Sequence, residues 1–211
     1  MEEALSAASQ DTPIVVDMWF DPMCPWAWLT SRWILEAIKV RDIDLRFHIM
    51  SLAVLNEGKD IPSEYVDMMS KVWGPVRVVA AAQARVGVEI TEPLYTAISR
   101  RIFVDNRRDD PTVIVEALAE LNLPADLADA VSSKEFDDAI RASHQASQDA
   151  AAMEIGTPVM AINGIGYFGP VISPTPKGEA AGRLFDGIVL LSGSEGFYEI
   201  KRARTQPPAF D

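Results

Sequence analysis

The sequence predicts a mixed α/β fold in which a β-α-β unit and a β-β-α unit flank a long helical block. Three observations predict it. An apolar, β-rich run, Ile14-Val15-Val16-Asp17-Met18-Trp19-Phe20, passes through Asp21-Pro22 into Cys24-Pro25 and an amphipathic helical pattern from Trp26 to about Lys39. From Pro62 to about Ala152 nearly every segment has helical periodicity. Strand character then returns in Thr157-Pro158-Val159-Met160-Ala161-Ile162, which ends in the hairpin-forming pair Asn163-Gly164.

Taken in order, the first strand covers about Ile14–Phe20. Pro25 suits the first helical position, where no N–H is needed. Asp44 to Leu52 alternates as a second strand, and a right-handed crossover makes it parallel to the first. The helical block is punctuated at Gly74-Pro75, Gly87, Glu92-Pro93, Asp110-Pro111 and Leu123-Pro124. Val76–Val86 and Pro111–Leu121 are its clearest helices. Ser133 followed by Phe136, Ala139, Ile140 and Ser143 predicts another, continuing to Met153. Gly166-Tyr167-Phe168-Gly169 pairs back on the third strand, and a helix follows from about Pro176 to Leu191. Gly196–Arg204 reads as a short last helix or extension. Its cluster Lys201-Arg202-Ala203-Arg204 is placed on the last helical turn, where cations suit the dipole. This order is a thioredoxin core with a helical insertion. It divides the chain into a first thioredoxin-like part (residues 1–60), a helical insertion domain (61–152) and a second thioredoxin-like part (153–211).

With 211 residues, 48% of them hydrophobic, the chain can bury a real core. A net charge of −12 disfavours nucleic acid or an anionic membrane surface as a partner. One cysteine excludes a disulfide framework and fits a reducing compartment. Met1 to Gln10 has neither a basic nor an apolar region of signal-peptide type, and no run approaches ~20 apolar residues. The expected location is therefore cytoplasmic. Two isolated histidines and one cysteine lack metal-ligand spacing, so no metal is expected. Gly164-Ile165-Gly166 follows a strand but opens no helix, so it is no phosphate loop.

Cys24 is the candidate nucleophile. A thiol at a strand-to-helix turn faces unpaired N–H groups and the positive end of the helix dipole, which favour thiolate. A pKa near ~8.5 would then fall into the ~3.5–7.5 range of activated cysteines. The plain alternative, a buried structural cysteine, fits the position before Pro25 less well. A resolving thiol three residues on would make a dithiol site, but Ala27 stands there and no other cysteine exists. Release of a mixed disulfide then needs an external thiol.

These stretches resemble the DsbA-like thioredoxin-fold oxidoreductases, and most closely the cytoplasmic mycothiol-dependent reductases, a group that includes nitroreductases. The resemblance is carried by Trp19-Phe20-Asp21-Pro22-Met23-Cys24-Pro25-Trp26, Ser31-Arg32-Trp33-Ile34-Leu35-Glu36 and Phe47-His48-Ile49-Met50-Ser51-Leu52. It continues through Trp73-Gly74-Pro75-Val76-Arg77-Val78, Gly156-Thr157-Pro158, Phe168-Gly169-Pro170 and the segment from Glu199 to Asp211. Ala27 departs from it, since these reductases usually have a second cysteine there. The resemblance implies that Pro158 is a cis proline facing Cys24, leaving the backbone of Thr157 to bond an extended thiol ligand. It also places Asn56 and Tyr65 near the substrate cleft between domains, where each alone would read as an ordinary loop or helix residue.

Trp26, inside the motif, is either a core-packing residue or an exposed platform for a ligand. His48 reads first as a satisfied sheet-face histidine, and otherwise as a group that tunes Cys24 or shuttles a proton during exchange. His144 reads as a surface residue, and Arg77 and Arg85 as ordinary salt-bridging residues. Met68, Met69 and Trp73 offer an apolar contact for a homodimer.

The expected function is a thiol-disulfide oxidoreductase in which Cys24 exchanges with a low-molecular-weight thiol. The resemblance implies mycothiol, with disulfides, nitroaromatics or other electrophiles as substrates. The alternatives are a thiol-cofactor-dependent isomerase or transferase, and a non-catalytic binding variant. Retention of Cys24 argues against the first, and only Ala27 supports the second.

Overall fold

The computed structural model describes residues 12–210, apart from the side chains at 63–68 and 70. Strand β1 (Ile14–Phe20) leads through a tight loop to α1 (Pro25–Ala37) and β2 (Ile43–Ile49). A helical run follows: α2 (Leu52–Asn56), α3 (Ser63–Val86), α4 (Thr91–Phe103), α5 (Thr112–Glu120) and α6 (Asp137–Ala151). Then come β3 (Val159–Ile162), β4 (Ile165–Phe168) and α7 (Glu179–Ser192). The strands form one sheet of order β2-β1-β3-β4, with β1 and β2 parallel and the other pairs antiparallel.

Alternation along β1 sends its side chains to two different cores. Val16, Met18 and Phe20 join Trp33 and Ile34 of α1, Phe185 of α7 and Tyr95 of α4 on one face. Trp19 joins Met50, Val159 and Ala161 on the other face, against Ala150 of α6. Phe20 and Tyr95 stack with ring centroids 3.8 Å apart, both fully buried. Each aromatic side chain removes ~150–250 Å² from water, so this face is the larger stabilising unit.

The turn between β3 and β4 needs two left-handed residues, which Asn163 (φ 48°) and Gly164 (φ 87°) supply. Asn163 also donates its N–H to Val15 O at 2.9 Å and so fixes the hairpin on β1. Gly166 is required for another reason. A Cβ there would lie 2.6 Å from the backbone of Ala150, so α6 can cross β4 only at a glycine.

Three expectations need correction. Gly74-Pro75 does not interrupt a helix, because α3 runs through it with Val131 packed 3.1 Å from where a Gly74 Cβ would sit. The helix foreseen from Ser133 starts later. Residues Ala125–Ser132 form 3-10 turns, and α6 begins at Asp137 and ends where Ala152 turns left-handed (φ 53°). Of the helix or extension expected for residues 196–204 the structure has the extension, so the basic cluster is not on a helical turn. Tyr198 and Ile200 remain exposed there, so a helix would have no apolar face to bury. The basic cluster therefore lies on an extended segment.

Candidate active site around Cys24

The loop between β1 and α1 is held by its own polar groups and by two helices behind it. The Asp21 carboxylate accepts the Met23 N–H at 2.8 Å, an Asx turn, and the Leu52 N–H of α2 at 2.7 Å. The Asp21 carbonyl accepts the Cys24 N–H at 3.0 Å, and Ser99 of α4 donates its hydroxyl to Pro22 O at 3.0 Å. Cys24 thus becomes the N-cap of α1. Its Sγ accepts the Ala27 N–H at 3.4 Å and donates to the Thr157 carbonyl at 3.4 Å.

Burial dominates the electrostatics. Cys24 is only 5% exposed, and loss of water pushes its thiol up to about 12. The Ala27 N–H pulls the other way, and the nearby Asp21 carboxyl adds to the rise. The expectation of a lowered thiol is therefore corrected: desolvation outweighs the helix N-terminus in this closed form. The same burial raises the fully enclosed Asp21 to about 7, against the pull of its two backbone donors.

Thr157 and Pro158 approach from the β3 side, joined by a cis peptide bond. The Thr157 carbonyl is engaged by Cys24, and its buried hydroxyl, which makes no hydrogen bond of good geometry among the described residues, is near enough to the sulfur to pull its thiol down. Trp26 is half-buried, and the Arg204 guanidinium stands 5.1 Å over its ring. Ala27 is fully buried, so its methyl group points into the core rather than to solvent. Asn56 sits at the end of α2, the helix tied to Asp21, and donates to Leu52 O at 2.7 Å. Tyr65 falls within α3, but its side chain lies outside the described residues, as does that of Met68.

His48 is not brought to this cluster. It stacks on Trp19 at 4.8 Å and contacts Asp17 through Nε2 at 2.7 Å, on the sheet face opposite Phe20. Its partners are sheet-face neighbours, because odd and even positions of β1 part to opposite faces. His144 is corrected from surface to buried: it is 7% exposed, and Nδ1 accepts the Ser51 N–H at 3.5 Å. Arg77 forms a bidentate pair with Asp137 at 2.7 and 2.8 Å, and Arg85 pairs with Asp126. Trp73 is flanked by the guanidinium groups of Arg77 and Arg141, and Met69 packs on the core. Asp21 and Arg204 are the two residues whose part in the site local sequence reading passed over.

No group of three metal-ligating side chains occurs among the described residues, and no helix among them is long and apolar enough to cross a membrane.

A four-stranded sheet of this order, with a helical block between its second and third strands, is the thioredoxin fold in its DsbA-like form. Solved structures show the same fold. A probable DsbA oxidoreductase from Streptomyces coelicolor superposes with a TM-score of 0.58 at 18% identity, covering 94% of each chain. The cytosolic disulfide reductase DsbM from Pseudomonas aeruginosa, solved with GSH, gives 0.54 at 20% identity, covering 84% of this chain and all of that one. The family model described as "Rv2466c-like: Mycothiol-dependent nitroreductase Rv2466c" matches residues 23–202. The chain belongs to that family, one of thiol-dependent oxidoreductases. An uncharacterised protein of Mycobacterium tuberculosis, Rv2286c, is 30% identical over 194 residues, spanning 90% of this chain and 82% of that protein.

Proposed function

We propose that this chain is a monothiol oxidoreductase in which Cys24 is the nucleophile and an external thiol completes each cycle. The observation that carries this reading is the placement of Cys24 Sγ, at the N-cap of α1 and 3.4 Å from the carbonyl before cis-Pro158. In the resting form Thr157 O and burial hold the proton on sulfur. Once a ligand displaces that carbonyl contact and Sγ loses its proton, the Ala27 N–H and the helix N-terminus remain to stabilise the thiolate.

The Cys24 thiolate then attacks one sulfur of a disulfide. A new S–S bond forms to Cys24, the old S–S bond breaks, and the displaced sulfur leaves as thiolate. Ala27 has no sulfur with which to resolve the product, so a second external thiol attacks and releases Cys24. Two-electron reduction of a nitroaromatic or other electrophile draws on Cys24 together with an external thiol, which end joined as a disulfide.

Membership of the family makes mycothiol the thiol we propose, and the cytoplasm is the setting we propose, as for the cytosolic DsbM of like fold. The residues present fit such a ligand: Thr157 offers a buried hydroxyl beside the sulfur, and Trp26 a half-buried ring under Arg204. Bound there, the thiol supplies the reducing sulfur. Cys24 would hold it covalently, Thr157 and Trp26 would bind it, and Pro158 would shape the wall beside the sulfur. Asn56 and Tyr65 are proposed to line the substrate side, and His48 is not given a part.

Intact mass after exposure to mycothiol disulfide and, separately, glutathione disulfide tests the reading. One adduct per chain is expected, absent in Cys24→Ser and removed by added thiol. No adduct from either disulfide would replace this reading with that of a binding protein whose thiol is inert.

A further inference from the structure

After α7 the chain runs extended back across the molecule to the active-site helix. Phe197 meets Tyr167 at 6.0 Å, and Arg204 covers Trp26 at 5.1 Å. The Ala209 N–H bonds Ser173 Oγ at 3.0 Å, and Phe210 stacks on Phe103 at 5.2 Å. This segment carries Lys201, Arg202 and Arg204, all exposed. None of the three has an ion-pair partner among the described residues. In a chain of net charge −12, where ion pairs engage most other cations, three cations within four residues that pair with no described residue are out of keeping with the rest of the surface. They lie on the strap whose Arg204 meets Trp26, two residues after Cys24.

From this juxtaposition we infer that the strap is an anion-recognition element, and that the substrate exchanged at Cys24 is a small disulfide bearing carboxylate groups. The inference rests on the proposed role of Cys24 and adds to it the class of substrate. Three physical points support it. A guanidinium stacked on an aromatic ring keeps its in-plane N–H donors free, and these match a carboxylate in bidentate geometry. At physiological salt the field decays over ~8 Å, so charges near Trp26 decide what approaches and the distant acidic surface is screened. Lys201 and Arg202 are within three residues of Arg204, a span of at most ~10 Å of chain. The opposing groups lie farther off or out of reach: Glu195 and Glu199 are exposed on the same strap, nine and five residues before Arg204, and Asp21 is enclosed in the Cys24 loop.

Smallness follows from access. Cys24 is 5% exposed, so only a slender group reaches its sulfur. The buried Thr157 hydroxyl beside it faces the sulfur and adds a donor at the point of attack.

The test uses the full chain and three aliphatic disulfides of similar size: dithiodiglycolate with two carboxylates, neutral hydroxyethyl disulfide, and cystamine with two ammonium groups. Rates of Cys24 adduct formation are read by quenched intact mass. The ratio of the dithiodiglycolate rate to the hydroxyethyl disulfide rate is expected to fall about fivefold in the double variant Arg202→Gln/Arg204→Gln, as about 1 kcal/mol of exposed charge interaction would give. The cystamine ratio should rise. Arg204→Lys should keep the part of the anion preference that charge supplies and lose the part that bidentate geometry supplies, falling between the wild type and the double variant. Raising salt in the wild type should erode the preference. An unchanged ratio, or an equal fall for all three reagents, overturns the inference while leaving Cys24 as nucleophile. Failure of all three to modify Cys24 overturns both.

Discussion

Cys24 and Asp21 are two acids in one water-poor loop: burial raises both, and the Asp21 carboxyl adds to the rise of Cys24. Because the folded state holds both protons more tightly than the unfolded chain, both contribute most to stability at low pH. For Asp21 that contribution is complete below the ordinary carboxylate range and is lost as pH rises towards about 7. Unfolding free energy should therefore fall by up to ~1.4 kcal/mol per pH unit between roughly pH 4 and 7 from this group alone. In Asp21→Asn that slope should flatten, which denaturant titrations across pH will show. For Cys24 the measurement is alkylation. Its rate with iodoacetamide should keep climbing above about pH 9, where an activated cysteine would already have levelled off near neutrality. A plateau near pH 7 would contradict the closed geometry. The motif Asp21-Pro22-Met23-Cys24-Pro25 was enough to single out the sulfur. It could not reveal the desolvation, because the walls come from Thr157, 133 residues away, and from α2 and α4.

Helices and strands with a clear apolar period were legible from sequence, and their ends were less so. β1 spans the apolar, β-rich run Ile14–Phe20 that predicts it, and α1 starts at Pro25 as N1 chemistry requires. α3 continues through Gly74-Pro75 because tertiary packing overrides local propensity. The basic cluster of the strap departs from its expected place on a helical turn for the opposite reason. Its charges suited a helix end, but its exposed Tyr198 and Ile200 left nothing to bury. Two substitutions test the packing of these elements. Gly166→Ala forces a methyl group against the Ala150 backbone, and thermal melts should show a loss of about 1–3 kcal/mol. Arg77→Ala strands Asp137 in a pair whose side chains are only 11% and 16% exposed. It should destabilise by ~2–3 kcal/mol, somewhat below the figure for a fully buried pair. Arg85→Ala removes an exposed pair with Asp126 and should shift stability by less than ~1 kcal/mol. Equal effects of the two arginines would contradict the structural role given to Arg77.

At the scale of the whole molecule, the fold places one sulfur where two sheet elements and a helix start converge, and gives it no internal partner. The order of elements was readable because strand and helix periods differ, and the resemblance extended that order to a DsbA-like fold. The meeting of Cys24 with Thr157 and of Trp26 with Arg204 was not readable from spacing. Both are long-range contacts set by how the sheet closes and how the strap returns. The central claim is that Cys24 turns over only by exchange with an external thiol. It is tested most directly by preparing the mixed disulfide of Cys24 with mycothiol and following its release by intact mass at several thiol concentrations, in the wild type and in Ala27→Cys. The account predicts release in the wild type at a rate proportional to added thiol and negligible without it. Ala27→Cys should release without added thiol, through a new internal disulfide. Thiol-independent release from the wild type would contradict the account.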